Sequence, residues 1–269
     1  MTAFRVELRK LLTTRLWWIL LLGLTGYMAF LAALLAIAFT QPEALGAAGG
    51  GGGGLGLDAS MIATTIYTLP ASTGYVFPLV IGALAVTTEF RYQTITPTFL
   101  AQPHRGWVLL AKLASSLVVG LVLGVVSTVV TAAVGAGVLA AVGEPTRLGD
   151  PEIQRSLLLT TLAMGVWAVV GTGFGAVLTN QVASIIVVLA FTQFVEPVVR
   201  IFLGTNEATA GISRFLPSAA GEALAGGGLF GGMTLADPLT WWQGGLVLLG
   251  YAVVFAVIGA ATTWRRDVA

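Results

Sequence analysis

The sequence predicts an all-α integral membrane protein with six transmembrane helices, and three observations carry that prediction. Hydrophobic residues make up 57% of the 269 positions, and only 9% are charged. Mean hydropathy is +0.92. A soluble fold has no use for so much apolar surface, whereas lipid covers the outside of a helix bundle without a polar shell. The uncharged residues also fall in five runs, 16–42, 59–88, 113–143, 156–195 and 238–264. Each run can cross a bilayer, and 156–195 can cross it twice.

Taken in order, residues 2–14 form an interfacial helix. Phe4, Leu8, Leu11 and Leu12 share one side, while Arg5, Arg9 and Lys10 lie largely on others. Span 1 follows at 16–39, a helix of roughly 36 Å. That is too long for the apolar region of a cleavable signal peptide, so it stays in the mature chain. The run "GAAGGGGGGLGL" is a flexible spacer. A phosphate-binding loop needs Lys-Ser or Lys-Thr after its glycines, and neither lysine here follows a glycine.

Span 2 is placed at 66–88 and span 3 at 113–141, joined by a loop at 89–107. Span 4 covers 157–178 and span 5 covers 182–203, split by a tight turn at Thr179–Gln181. Gly120 and Gly124 in span 3, and Gly171 and Gly175 in span 4, are spaced for close helix packing. A long, partly apolar loop at 204–239 contains "ISRFLPSAAGEALAGGGLF", read as short helices dipping into the outer leaflet. Span 6 ends the bundle at 240–263.

Cationic loops stay on the cytoplasmic side. With the N-terminus inside, Arg5, Arg9, Lys10, Arg15, Arg91, Arg105, Lys112, Arg265 and Arg266 are cytoplasmic, nine of the thirteen Lys and Arg. Both termini are therefore placed in the cytoplasm.

Catalytic ingredients are scarce. A single histidine and no cysteine leave no metal site and no histidine-based triad. Ser115, Ser116 and Lys112 share a helical turn, the spacing of a Ser-Lys dyad; the competing reading has Lys112 snorkelling to the interface and the serines packing on a neighbour. Within the assigned spans only Glu196 and Arg200 ionise. A charge at that depth costs about 2.5–3.5 kcal/mol on insertion scales. Four apart and opposite in sign, they read either as a mutually neutralising pair or as part of a path or gate. Pro197 between them removes a helix hydrogen bond.

The stretch "TTEFRYQTITPTFLAQPHRGWVLLAK", residues 87–112, concentrates Glu89, Arg91, His104, Arg105 and Lys112 in an otherwise apolar chain. Its alternation of Phe90, Ile95, Phe99 and Leu100 with Glu89, Arg91, Gln93 and Gln102 suits a short interfacial helix. Here the chain resembles the permease subunits of ABC-2 type ABC transporters. Their first cytoplasmic loop commonly reads Glu-x-Arg, Thr-Ile, Pro-x-Arg and a Lys entering the third span, matched by Glu89, Arg91, Thr94, Ile95, Pro103, Arg105 and Lys112. "ELRKLLTTRLWW" and "RFLPSAAGEAL" are similar to further family motifs.

The resemblance implies a type V exporter-like fold, with an N-terminal interfacial helix, a coupling helix between spans 2 and 3, and short outer helices before span 6. It implies two permease copies, identical or closely paralogous, in the inner membrane. A separate cytoplasmic ATPase would bind ATP and Mg, leaving no cofactor for this chain and no role for nucleic acid. Glu89 and Arg91 would contact that ATPase, with Thr94, Gln102 and Arg105 behind them. The path, exporting in direction, would run between the copies along spans 1, 2 and 5. A non-transporting scaffold or immunity-type protein that recruits a partner through 89–107 is the alternative.

Overall fold

A computed structural model describes residues 2–41, 58–231 and 234–264. The glycine-rich spacer, Arg265 and Arg266 lie outside the described residues. Every regular element among those described is helical, and six helices are long and apolar enough to cross a membrane. This is a multi-pass architecture.

Helix α1 (Thr2–Thr13) precedes α2 (Leu16–Thr40), the first span. Leu24, Met28, Ala32 and Ala36 of α2 are buried at a strict spacing of four, so one narrow stripe packs inward. Span 2 begins seven residues earlier than its expected start, at α3 (Ala59–Tyr67). Asp58 caps α3 by accepting from the Met61 N–H at 2.7 Å. A π turn at Pro70–Gly74 links it to α4 (Val76–Arg91). Pro78 lacks the N–H that would bond the Gly74 carbonyl, which lets the ladder widen there.

Helix α5 (Ile95–Ala101) lies between spans 2 and 3. Helix α6 (Arg105–Ala141) is span 3, eight residues longer at its start than expected, because Lys112 sits inside the bundle rather than at its edge. Helix α7 (Pro151–Val177) is span 4. The turn falls at 178–180, one position before the expected Thr179–Gln181, and Asn180 caps α8 (Gln181–Ala190) by accepting from the Ala183 N–H at 3.0 Å. A second π turn, Phe191–Val195, joins α8 to α9 (Glu196–Gly204), completing span 5. Pro197 again removes the N–H one turn later.

The loop before span 6 holds α10 (Glu207–Ser213) and α11 (Pro217–Ala225). Residues 218–225 are all buried, with α11 wedged against α12 (Trp241–Thr262), the last span, and α7. A capping box between Thr240 and Gln243 starts α12.

Helix α7 is the hub, packed on α4, α6 and α12. Glycines make this approach feasible. A Cβ at Gly120 would stand 2.6 Å from the Ala168 Cβ, and one at Gly175 would stand 2.6 Å from the Ala83 carbonyl oxygen. Both predicted glycine pairs thus serve packing within this chain.

Candidate functional site

Two polar centres interrupt the apolar bundle, one at each end.

The first lies where α1, α4 and α6 meet. Lys112, 1% exposed, donates to Glu7 at 2.5 Å and to the Ala85 carbonyl at 3.1 Å, and pairs with Glu89 at 2.9 Å. Lys10 donates to Glu7 at 2.8 Å, to Glu89 at 2.6 Å and to the Thr98 hydroxyl of α5 at 3.4 Å. Two carboxylates and two ammoniums therefore neutralise one another, the arrangement that makes charge tolerable in such a setting. Lys112 does not snorkel, because two acids from distant parts of the chain meet it inside. The Ser115 hydroxyl donates to the Lys112 carbonyl at 3.0 Å, away from the ammonium, so no dyad geometry forms.

Burial pushes the Lys10 pKa down, but hydrogen bonds and charge from Glu7 and Glu89 outweigh it and hold it above the ordinary lysine value of 10.5. Because the folded value is the higher one, the stabilisation is fully present below pH 10.5 and fades as pH rises through the folded value. An environment-sensitive dye on Ala3→Cys, in a chain with no other thiol, should report docked α1 from pH 7 to 10, with loosening confined to higher pH because Lys112 still holds Glu7. Release below pH 9 would contradict this assignment.

The loop residues proposed as contacts separate into two groups. Glu89, 5% exposed, faces inward to the lysines and does not present itself at the surface. Arg91 is exposed; it donates to Gln181 at 3.3 Å and stacks on Tyr92 at 5.6 Å. Thr94 is exposed, and its N–H donates to the Glu89 carbonyl at 2.9 Å. Gln93 takes φ +56°, the left-handed conformation that turns the chain into α5. Gln102 is half-buried just after α5. Arg105, also half-buried, donates to the Trp264 carbonyl at 2.7 Å and stacks on Phe99 at 4.9 Å, tying the loop to the end of span 6. Leu100 is 79% exposed at this charged end, and Tyr92 is exposed near it.

At the opposite end, Glu196 and Arg200 are buried but do not pair with each other. Glu196 accepts from the Ser218 N–H at 2.5 Å, at the start of α11, where unpaired helix N–H groups favour a carboxylate. Arg200 donates to Glu222 at 2.5 Å and lies 5.6 Å from the Phe230 ring. The expected intrahelical pair is thus replaced by two bonds from α9 to α11, each spanning 22 residues. The reason is register: Ser218 and Glu222 are also four apart, so the two helices match rung for rung. Glu222 was missed as a site residue, yet its spacing from Ser218 mirrors that of Glu196 from Arg200 in the sequence.

The segment after α11 folds back over this centre. The Leu229 N–H donates to Ser72 in the first π turn at 3.2 Å. Tyr75 stacks on Trp167 at 4.3 Å and donates to the Thr192 carbonyl of the second π turn at 3.4 Å. The residue that follows the first π turn is thus hydrogen-bonded to the second. Among the described residues no cluster of three metal-ligating side chains occurs.

No protein-family model matches the sequence, and no curated protein matches it.

Proposed function

We propose that the chain is the membrane-spanning subunit of an ATP-driven transporter of the ABC-2 type, coupled through residues 89–107 to a separate cytoplasmic ATPase. The observation that carries this reading is the mechanical linkage of α5. An exposed short helix with an outward Leu100 is bonded through Thr98 and Lys10 to the ion cluster, and through Thr94 to the last turn of α4. Exposed apolar side chains amid charge suit a protein partner. A push on α5 would bear on α1, α4 and α6 together, because their charges share one cluster.

The chain's chemistry agrees. An ion-driven transporter needs a titratable relay across the membrane. The two charged centres lie at opposite ends, and among the described residues the buried polar side chains between them are mainly Ser and Thr hydroxyls rather than acids or bases, so ATP hydrolysed by a partner is the better-supported energy source. Export across the inner membrane, both termini cytoplasmic and a second permease copy complete the proposal.

Burial reassigns the contact surface. Glu89 acts as a positioning residue inside the cluster, and Arg91, Thr94, Leu100 and Gln102 face the partner, with Arg105 bracing the loop from behind. Glu89→Lys would place a third cation between Lys10 and Lys112 and is unsuitable as a contact test. Arg91→Glu with Leu100→Asp alters only exposed positions. The tagged chain should copurify from its own membranes with an ATPase, and vesicles holding the pair should show ATP-dependent flux. The double variant should retain its fold and lose the ATPase. Copurification without flux favours the scaffold reading, and an intact complex in the double variant removes the proposed contact.

A further inference from the structure

We infer that the outer polar centre is a binding site for a phosphate-type oxyanion at the level of the lipid headgroups. This is independent of the partner at the other end of the bundle. A cavity of about 350 Å³ is lined by Arg155, Arg200, Arg214, Glu152, Glu222 and Trp241, among others. That volume is at the small end of ligand pockets and suits a headgroup or a small phosphorylated molecule.

The charge balance within the cavity points to an anion. Glu222 is already engaged by one terminal nitrogen of Arg200. The Nε and the other terminal nitrogen of Arg200 have no hydrogen-bond partner, although the residue is only 5% exposed. Both nitrogens are enclosed, so an anion in the cavity meets them only after a shift of the Arg200 side chain, a shift favoured by the cost of leaving guanidinium N–H groups unused. Arg155 and Arg214 have no ion-pair partner among the described residues. Their guanidiniums rest on Trp241 at 4.9 Å and Phe215 at 5.2 Å, fixed in place by stacking rather than by a carboxylate. Three planar donors against one uncommitted acid, Glu152, form an oxyanion receptor, since the guanidinium fork matches phosphate oxygens. The Oε2 of Glu196 is also unpartnered, but Glu196 does not line the cavity.

The depth of the cavity follows from Trp241 and Trp242 at the first turn of span 6. Paired tryptophans at a span terminus mark the membrane interface. The phosphate could belong to a lipid or to a soluble molecule; the recognition chemistry is the same.

The test uses the full chain in detergent, titrated by native mass spectrometry with dihexanoyl phosphatidylglycerol, glycerol 3-phosphate and the phosphate-less dihexanoylglycerol. One saturable equivalent of a phosphate probe is expected. Arg155→Gln with Arg214→Gln, both at exposed positions, should weaken it about tenfold or more while leaving the melting temperature near that of the parent. Arg200→Gln combined with Glu222→Gln removes the buried pair together and should weaken it comparably. Binding of glycerol 3-phosphate identifies a soluble source, and binding of phosphatidylglycerol alone a lipid source; either supports the site. Equal binding of dihexanoylglycerol, no saturable phosphate equivalent, or undiminished affinity in the Arg155/Arg214 variant overturns it.

Discussion

Replacing Lys112 with methionine is expected to destabilise the folded protein by about 3–5 kcal/mol, the cost of stripping one partner from a buried ion cluster. Methionine fills most of the same volume, so packing changes little. What remains is Glu7 and Glu89 facing each other with only Lys10, which is 39% exposed, between them. Lys10→Met should cost far less, within about 1 kcal/mol, because water already screens that ammonium. Adding Glu7→Gln to Lys112→Met restores neutrality and should recover much of the loss. Thermal unfolding of the four proteins in one detergent measures this ordering. Equal losses for Lys10→Met and Lys112→Met would show that burial does not set the energetics of the cluster.

Gly171→Val is expected to abolish recovery of folded protein. A Cβ there would press on the Leu79 carbonyl, with the Leu79 Cα 2.9 Å away, and on the opposing helix Gly82 meets Ala168 in the same manner. Backbone on both sides cannot rotate aside, so α4 and α7 must separate, and overpacking costs of about 1–3 kcal/mol are a lower bound. Gly137→Val is the control. Nothing lies within 4 Å of its added Cβ, and it should shift stability by no more than about 0.5 kcal/mol. Size-exclusion profiles of the two variants decide the point; a monodisperse Gly171→Val protein would contradict the close-packed hub.

The spans were legible because five long uncharged runs hold most of their length, and the turn between spans 4 and 5 because "TNQ" at 179–181 interrupts one run with polar residues, one position after the turn seen at 178–180. Glycine spacing announced the close helix contacts. Lys112 was misplaced for a physical reason: its two carboxylate partners sit 105 and 23 positions earlier in the chain, and no local pattern encodes a three-helix meeting. The same blindness made Glu89 look like a surface residue. At the other end, Glu196 and Arg200 offered an intrahelical pair at the right spacing, but α11 supplied a better partner for each. A helix N-terminus stabilises Glu196, and Glu222 reaches Arg200 directly. Span 2 starts earlier than expected because the uncharged run 59–88 is longer than one straight crossing needs, and its extra turns at Ala59–Tyr67 join α4 through the π turn at Pro70–Gly74.

The central claim is that residues 89–107 dock an ATPase. Its most direct test places the photo-reactive amino acid benzoylphenylalanine at position 100 in cells, with position 137 on the apolar face of span 3 as the control. Crosslinking from 100, and not from 137, to a protein identified by mass spectrometry as a P-loop ATPase is the predicted result. Crosslinking from 100 solely to proteins without a P-loop, or to none, would contradict it.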